Sequence, residues 1–162
     1  MRKFEREVTD EGEKFAALMR CGYLVLAMEG EGAPYQVPLN FGAELAGGAL
    51  TLYFHCAREG AKLGFLRRGG AVSFCAADMR RVFNKGTAPC GYTADYESVC
   101  GTGRARIVEN EVERLHGLRV LLAHYTPERF APSAFDARVL AMTEVVRLDA
   151  DSWTCKRLLR PQ

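Results

Sequence analysis

The sequence predicts a mainly β protein: an antiparallel barrel, closed or partly closed, with helices at its flanks. Three observations predict it. Turn clusters at Glu29-Gly30-Glu31-Gly32 and Ala46-Gly47-Gly48 join apolar runs as hairpin turns do. Leu50–Cys56 and Tyr96–Val108 alternate apolar and polar residues with the period of a half-buried strand. There is no strand–GxGxxG–helix unit and no Walker A, which argues against dinucleotide-binding and P-loop architectures. Hairpins dominate and parallel crossovers are scarce, so an antiparallel closure fits best.

The elements follow in the order α-β-β-β-α-β-β-α-β-β. Thr9 is a plausible N-cap, with Asp10 and Glu11 where the helix dipole favours acid, and Phe15, Leu18 and Met19 form an apolar stripe ending near Cys21-Gly22. Tyr23–Met28 is a continuous apolar run, read as a strand buried on both faces. A second strand spans Pro34 to Phe41, and a third carries Leu50, Leu52, Phe54 and Cys56 on its apolar face. A helix is expected around 57–66 and a short strand over 71–76. Asp78 to Thr93, with Asn84, Gly86, Pro89 and Gly91, reads as a long mobile loop facing a substrate. In the next strand, Gly101 and Gly103 mark a bend or a close backbone approach. Glu111–His124 is helical, with Val112, Leu115, Leu118, Leu122 and Tyr125 as its buried side. Two strands near 142–148 and 153–158 complete the chain.

At 162 residues this is one domain, 1–162, long enough to bury a core. A formal charge of +2, with acidic and basic residues mixed, gives no support for a nucleic-acid or membrane partner. The first residues have no apolar segment of the targeting kind, so a cytoplasmic protein is expected. The six cysteines form no CxxC pair and most sit in apolar, strand-like segments, so reduced thiols and no metal site are expected. Cys90, in the expected loop, is the thiol to test for reactivity.

The richest stretch is Thr51–Leu63, a strand that ends on His55 and turns directly into a helix. Arg58 and Lys62 then fall on one side of that helix, in its first turns, where cations repel each other and oppose the macrodipole. A bound phosphate at the helix N-terminus removes both objections. The competing reading is a surface helix with Glu59 and Lys62 paired and Arg58 solvated.

Val37-Pro38-Leu39-Asn40-Phe41, then Tyr53-Phe54-His55-Cys56-Ala57 with Gly60 and Lys62, then Tyr96-Glu97-Ser98-Val99-Cys100-Gly101-Thr102-Gly103 occur in that order. So arranged, they resemble the flavin-nucleotide-binding branch of the pyridoxamine 5'-phosphate oxidase-like split barrels, and more narrowly its nitroimidazole-resistance (Nim-type) proteins. The resemblance runs from Arg6-Glu7-Val8-Thr9-Asp10 to Trp153-Thr154-Cys155-Lys156-Arg157. It implies an antiparallel FMN-binding split β-barrel that forms a homodimer with two flavins at the subunit interface. Val37, Pro38, Asn40 and Phe41 would run beside the isoalloxazine ring. His55, Ala57, Gly60 and Lys62, with Leu63 beside them, would hold the ribityl phosphate, and Tyr96, Ser98 and Val99 would approach the flavin from the partner chain. The extra arginines and C-terminal extension of the true oxidases are not found, so the resemblance does not carry that activity. Cys56 and Cys155 stand where small residues are expected.

The implied function is an FMN-dependent oxidoreductase, with FAD as the alternative flavin, NAD(P)H as reductant and a small nitro-aromatic or quinone-like acceptor. The flavin carries the electrons, so no side-chain nucleophile is required. The alternative is a non-enzymatic flavin- or haem-binding carrier or sensor on the same fold, with His55, His116 and His124 as the candidate haem ligands. His116 and His124 otherwise read as solvated or half-buried helix residues, and Trp153 as packing.

Overall fold

The computed structural model describes residues 3–160. Eight strands make one antiparallel sheet: β1 (Glu7–Val8), β2 (Leu24–Met28), β3 (Tyr35–Leu39), β4 (Gly42–Ala46), β5 (Ala49–Ala57), β6 (Ala71–Asn84), β7 (Tyr92–Ile107) and β8 (Thr143–Leu158). Their order is β3-β2-β6-β7-β8-β5-β4, with β1 added on β8. The first and last strands of that path, β3 and β4, are consecutive in the chain. The sheet therefore curls back on itself through Asn40-Phe41 without a ladder closing it, which is a split barrel. Four α-helices flank it: α1 (Glu11–Met19), α2 (Ala61–Arg68), α3 (Glu111–Tyr125) and α4 (Ala137–Ala141). Among the described residues no helix is long and apolar enough to cross a membrane.

Alternation fills the barrel. Leu50, Leu52, Phe54 and Cys56 of β5 are buried against Leu24, Leu26, Phe74, Ala76, Val99 and Leu148. Each large apolar side chain so buried contributes about 1.5–3 kcal/mol. β2 is buried on one face only: Leu24, Leu26 and Met28 point inward, while Val25 and Ala27 are half-exposed outward. The expected two-faced burial of that strand is thus corrected.

The span 78–93 is not a loop. β6 continues through Asp78, pairs to Asn84↔Tyr92, and bulges between Met79 and Arg81. The irregular connection is limited to 85–91, where the Asn84 side chain accepts from Gly86 N–H. Residues 78–84 look like a loop because their outer edge is charged. Those charges are strand side chains with cross-strand partners: Arg80 reaches Glu97 at 2.6 Å, and Arg81 pairs with Asp95. The final segment is likewise one long strand, with a register shift where β7 passes Gly103. A Cβ at Gly103 would lie 2.2 Å from the Asp149 carbonyl oxygen, and one at Gly101 2.4 Å from the Phe74 ring. The close backbone approach predicted at both glycines is present.

α1 is capped by Asp10, whose carboxylate accepts from Glu13 N–H, rather than by Thr9. α3 lies on the outer face of β4 and β5, rotated from the predicted stripe. Its buried residues are Gly117 and Leu121, while Val112 is 77% exposed and Tyr125 41%. Two glycines set that contact. A Cβ on Gly117 would stand 2.6 Å from the Tyr53 ring, and one on Gly42 2.5 Å from Leu121 backbone. Tyr53, on the expected polar face of β5, is buried under α3 as a result.

Glu97 is fully buried on the inner side of β7. Arg20, just past α1, grips it with two bonds of 2.6 and 2.8 Å, and Arg80 and Arg157 each add one of 2.6 Å. Burial alone would raise this carboxyl, but hydrogen bonds and charge from Arg20 and Arg157 outweigh it and hold it below its ordinary value. Arg157 also reaches Glu13 at 2.7 Å, so α1, β6, β7 and β8 meet at one carboxylate.

Candidate functional site

The split of the barrel lies beside the strand-to-helix junction singled out in the sequence. The β4–β5 ladder starts at Gly42↔Tyr53. Carried on by two residues, the same register would set Asn40 opposite His55, but pairing has stopped there. The C-terminal end of β5 and the residues before Gly42 thus flank the gap, and α2 starts just after it.

α2 begins at Ala61, four residues later than expected, because β5 keeps its ladder with β8 through Ala57↔Thr143. Arg58 is therefore not a helix residue. It pairs with Glu144 at 3.1 Å and donates to the Ala141 carbonyl at 2.9 Å, so it does not share a helix face with Lys62. Neither Glu59 nor Lys62 enters an ion pair among the described residues. Lys62 is the second residue of α2, half-buried.

The start of α2 differs chemically from those of the other α-helices. Side chains of Asp10, Asn110 and Asp136 cap α1, α3 and α4. At α2 the N-cap is Gly60, no side chain caps the helix, and no acid lies in its first turn. Gly60 has φ 129°, which L side chains rarely adopt, and the space where a Cβ would stand is open. Uncapped N–H groups, a positive dipole end and a lysine can accept an anion here. The donor set fits the phosphate of a flavin nucleotide.

His55 and Lys62 do not converge. Alternation turns His55 to the outer face, where it lines an apolar cavity of about 210 Å³ with Leu118, Leu122, Phe135 and Val139 of the α3–α4 region. Cys56 is buried on the opposite face, where burial pushes its thiol up and the nearby Lys62 charge partly opposes that. The remaining predicted residues divide by depth. Pro38, Asn40, Ala57 and Gly60 are exposed and Val37 is half-buried, whereas Phe41, Leu63 and Val99 are core residues. Both backbone groups of Phe41 are already engaged within the chain. Its N–H donates to the Tyr125 hydroxyl at 3.0 Å, and its carbonyl accepts from His124 Nδ1 at 2.8 Å.

Tyr96 and Ser98 are half-buried on the outer face of β7, the Tyr96 hydroxyl accepting from Arg6 at 3.3 Å. They stand far from His55 in one chain. His55 opposes Val145 on β8 and Ser98 opposes Lys156, so eleven residues (145 to 156), roughly 35 Å of strand, separate the two rows.

The histidines differ as well. His116 bonds Glu44 at 2.8 Å, and His124 holds Phe41 while stacking on Tyr125. The His55 imidazole makes no hydrogen bond among the described residues and is exposed. Sequence reasoning left 126–141 without elements, so it missed Phe135 and Val139 in the cavity beside His55. The signal was present: Asp136 followed by Val139 and Leu140 is a capped, apolar helix start.

The comparisons agree with this architecture. No curated protein sequence matches the chain. Among solved structures, a candidate 5-nitroimidazole antibiotic resistance protein from Bacteroides thetaiotaomicron is 25% identical, with a TM-score of 0.77 over 93% of this chain and 85% of its own. The flavocytochrome Anf3 from Azotobacter vinelandii is 20% identical, with a TM-score of 0.79 over 99% and 73%. An FAD- and haem-binding protein from Mycobacterium smegmatis is 19% identical, with 0.77 over 94% and 73%. The last two show likeness of fold. The family model described as pyridoxamine 5'-phosphate oxidase matches residues 10–157, nearly the whole described chain. A split antiparallel barrel, a glycine-led helix start at its gap and that match together identify the chain as belonging to the pyridoxamine 5'-phosphate oxidase family.

Proposed function

We propose that the protein is a homodimeric, FMN-dependent oxidoreductase that uses NAD(P)H to reduce a small nitro-aromatic or quinone-like acceptor. The observation that carries the reading is the start of α2: uncapped, led by Gly60 at positive φ, and furnished with Lys62. When bound, flavin would supply the redox chemistry between nicotinamide and acceptor.

This chain's residues bind and orient. Lys62 and the free N–H groups of the first turn of α2 hold the phosphate. Pro38 and Asn40, exposed at the split, offer backbone groups to the polar edge of the ring. His55 faces the α3–α4 cavity, whose leucine, valine and phenylalanine walls suit a small aromatic molecule. Its free imidazole gives that molecule a hydrogen-bonding partner.

Distance supports the dimer: Tyr96 and Ser98 lie roughly 35 Å of strand from the His55 end of β5 in their own chain, so in this reading a second copy brings them to the flavin. Sedimentation of the flavin-loaded protein should give a dimer, and a stable monomer that keeps its flavin would contradict this.

A second reading is a carrier or sensor that binds flavin or haem without turnover. One observation favours its haem form: His55 is unpartnered beside an apolar cavity. The visible spectrum of the purified protein separates the cofactors, and NAD(P)H oxidation driven by a nitro-aromatic separates enzyme from carrier. Flavin absorption with acceptor-dependent turnover is expected; a haem spectrum, or flavin without turnover, would favour the second reading.

A further inference from the structure

Four arginines line one open pocket of about 580 Å³ where the ends of β5, β7 and β8 meet α2 and α3. Arg58 comes from the link between β5 and α2, and Arg67 from the last turn of α2. Arg106 comes from the end of β7, and Arg114 from the first turns of α3. The phosphate site at the start of α2 uses none of them.

Their partners leave positive charge over. Arg58 pairs with Glu144 at 3.1 Å, and Arg106 with Glu113 at 2.6 Å. Arg114 donates to two neutral groups, the carbonyls of Leu140 at 2.6 Å and Thr143 at 2.5 Å. Arg67 is exposed and enters no ion pair or hydrogen bond among the described residues, whereas its neighbour Arg68 reaches Glu31. The carboxylates that line the pocket are Glu109 and Glu144, so four guanidinium groups face two acids. The helix dipole accounts for a cation in the last turn of α2, but not for three more brought to the same concavity by other elements.

The rest of the pocket suits a nucleotide. Leu66, Ile107 and Val108 give it an apolar wall, and its volume is that of a small-molecule site. A phosphate monoester carries about −1.5 to −2 charges at neutral pH, close to the two that are unmet here. The planar guanidinium fork matches phosphate oxygens, and arginine is the residue that accommodates the 2′-phosphate of NADP in dinucleotide sites. The pocket is also well placed. Arg67 lies five residues beyond Lys62 on α2, an axial rise of about 7.5 Å, so the pocket adjoins the flavin phosphate. On β7 it lies at the other end from Tyr96 and Ser98, which the dimer turns to its partner. Ser98 and Arg106 are eight residues apart, roughly 27 Å of strand.

We propose that this pocket binds the 2′-phosphoadenosine end of NADPH and so selects NADPH over NADH as the reductant. Its purpose rests on the oxidoreductase reading above; the binding itself does not.

The test is calorimetric titration of the full-length, flavin-loaded protein with 2′,5′-ADP and with 5′-AMP, which differ only in the 2′-phosphate. The bisphosphate should bind at least about tenfold more tightly. Arg67→Ala should weaken it about tenfold and leave 5′-AMP nearly unchanged, with part of the loss recovered in Arg67→Lys. Arg67 is exposed and unpartnered among the described residues, so the variants should fold, and matched melting curves verify it. Equal binding of the two nucleotides, or an unchanged 2′,5′-ADP affinity in Arg67→Ala, would overturn the proposal. So would a variant that loses affinity for FAD but not for 2′,5′-ADP, because the pocket would then serve the adenylate of the flavin. Repeating the titration on flavin-free protein separates this inference from the reading it rests on. The contrast between the nucleotides should persist there even if the flavin site proves to lie elsewhere, and its absence would leave FMN affinity untouched.

Discussion

Arg20 and Glu97 form a two-pronged ion pair, 2.6 and 2.8 Å, between the end of α1 and the middle of β7. The carboxylate is wholly buried, while the guanidinium keeps one edge in water, its side chain 40% exposed. Glu97 gathers three arginines from three parts of the chain, so its loss leaves three cations facing one another. Glu97→Gln keeps the shape and removes the charge. Stability should fall by about 3 kcal/mol, at the low end for broken buried pairs because the arginines retain solvent. Urea unfolding measures it, and a change under about 1 kcal/mol would mean that the cluster is only surface chemistry.

Gly117 is the point at which α3 touches the sheet. Alanine favours the helix by about 1 kcal/mol. Its methyl group would nevertheless press within 2.6 Å of the Tyr53 ring and 2.9 Å of Val145. Overpacking of that kind costs about 1–3 kcal/mol. Gly117→Ala should therefore lower the melting temperature although it improves helix propensity, and a rise would show that α3 is free to shift.

Stability should be level from neutral to mildly alkaline pH and fall on acidification in two stages. Burial holds His124 below its ordinary value, against opposing hydrogen bonds that include the Phe41 carbonyl. A depressed histidine is neutral in both states above about 6.5, and below that the unfolded chain takes the proton first, so stability drops. Glu97 and Glu113, where burial is outweighed by arginine hydrogen bonds, and Asp95, held down first by Arg81, follow below about pH 4.5. Melting temperature against pH checks the sequence of events. His124→Gln should flatten the first stage alone, and an unchanged first stage would assign it elsewhere.

The parts of the fold that could be read from the chain are those whose partners are local. β5 shows its inward residues by alternation, and the acidic start of α1 shows a cap, although the cap is Asp10. Arg80, Arg81 and Asn84 resemble a loop because their partners Glu97, Asp95 and Tyr92 come only after the turn. The contact face of α3 escaped because it centres on Gly117, and a glycine leaves no apolar mark. At the candidate site, the motif named a strand-to-helix junction that the fold contains but spaced it wrongly. β5 runs to Ala57 and α2 waits until Ala61, which takes Arg58 out of the helix and turns His55 away from Lys62. The Glu97 cluster was invisible because its arginines lie 77, 17 and 60 residues away.

The most direct measurement of the central claim is the FMN affinity of Lys62→Ala, titrated into cofactor-free protein beside the wild type. A charge-assisted contact to the phosphate is worth roughly 1.5–3 kcal/mol, so affinity should fall about ten- to a hundredfold. Lys62 makes no ion pair among the described residues and alanine suits the helix, so melting without cofactor should hardly move. Unchanged FMN affinity in a normally folded variant would contradict the account, because the start of α2 would then not be where the flavin is held.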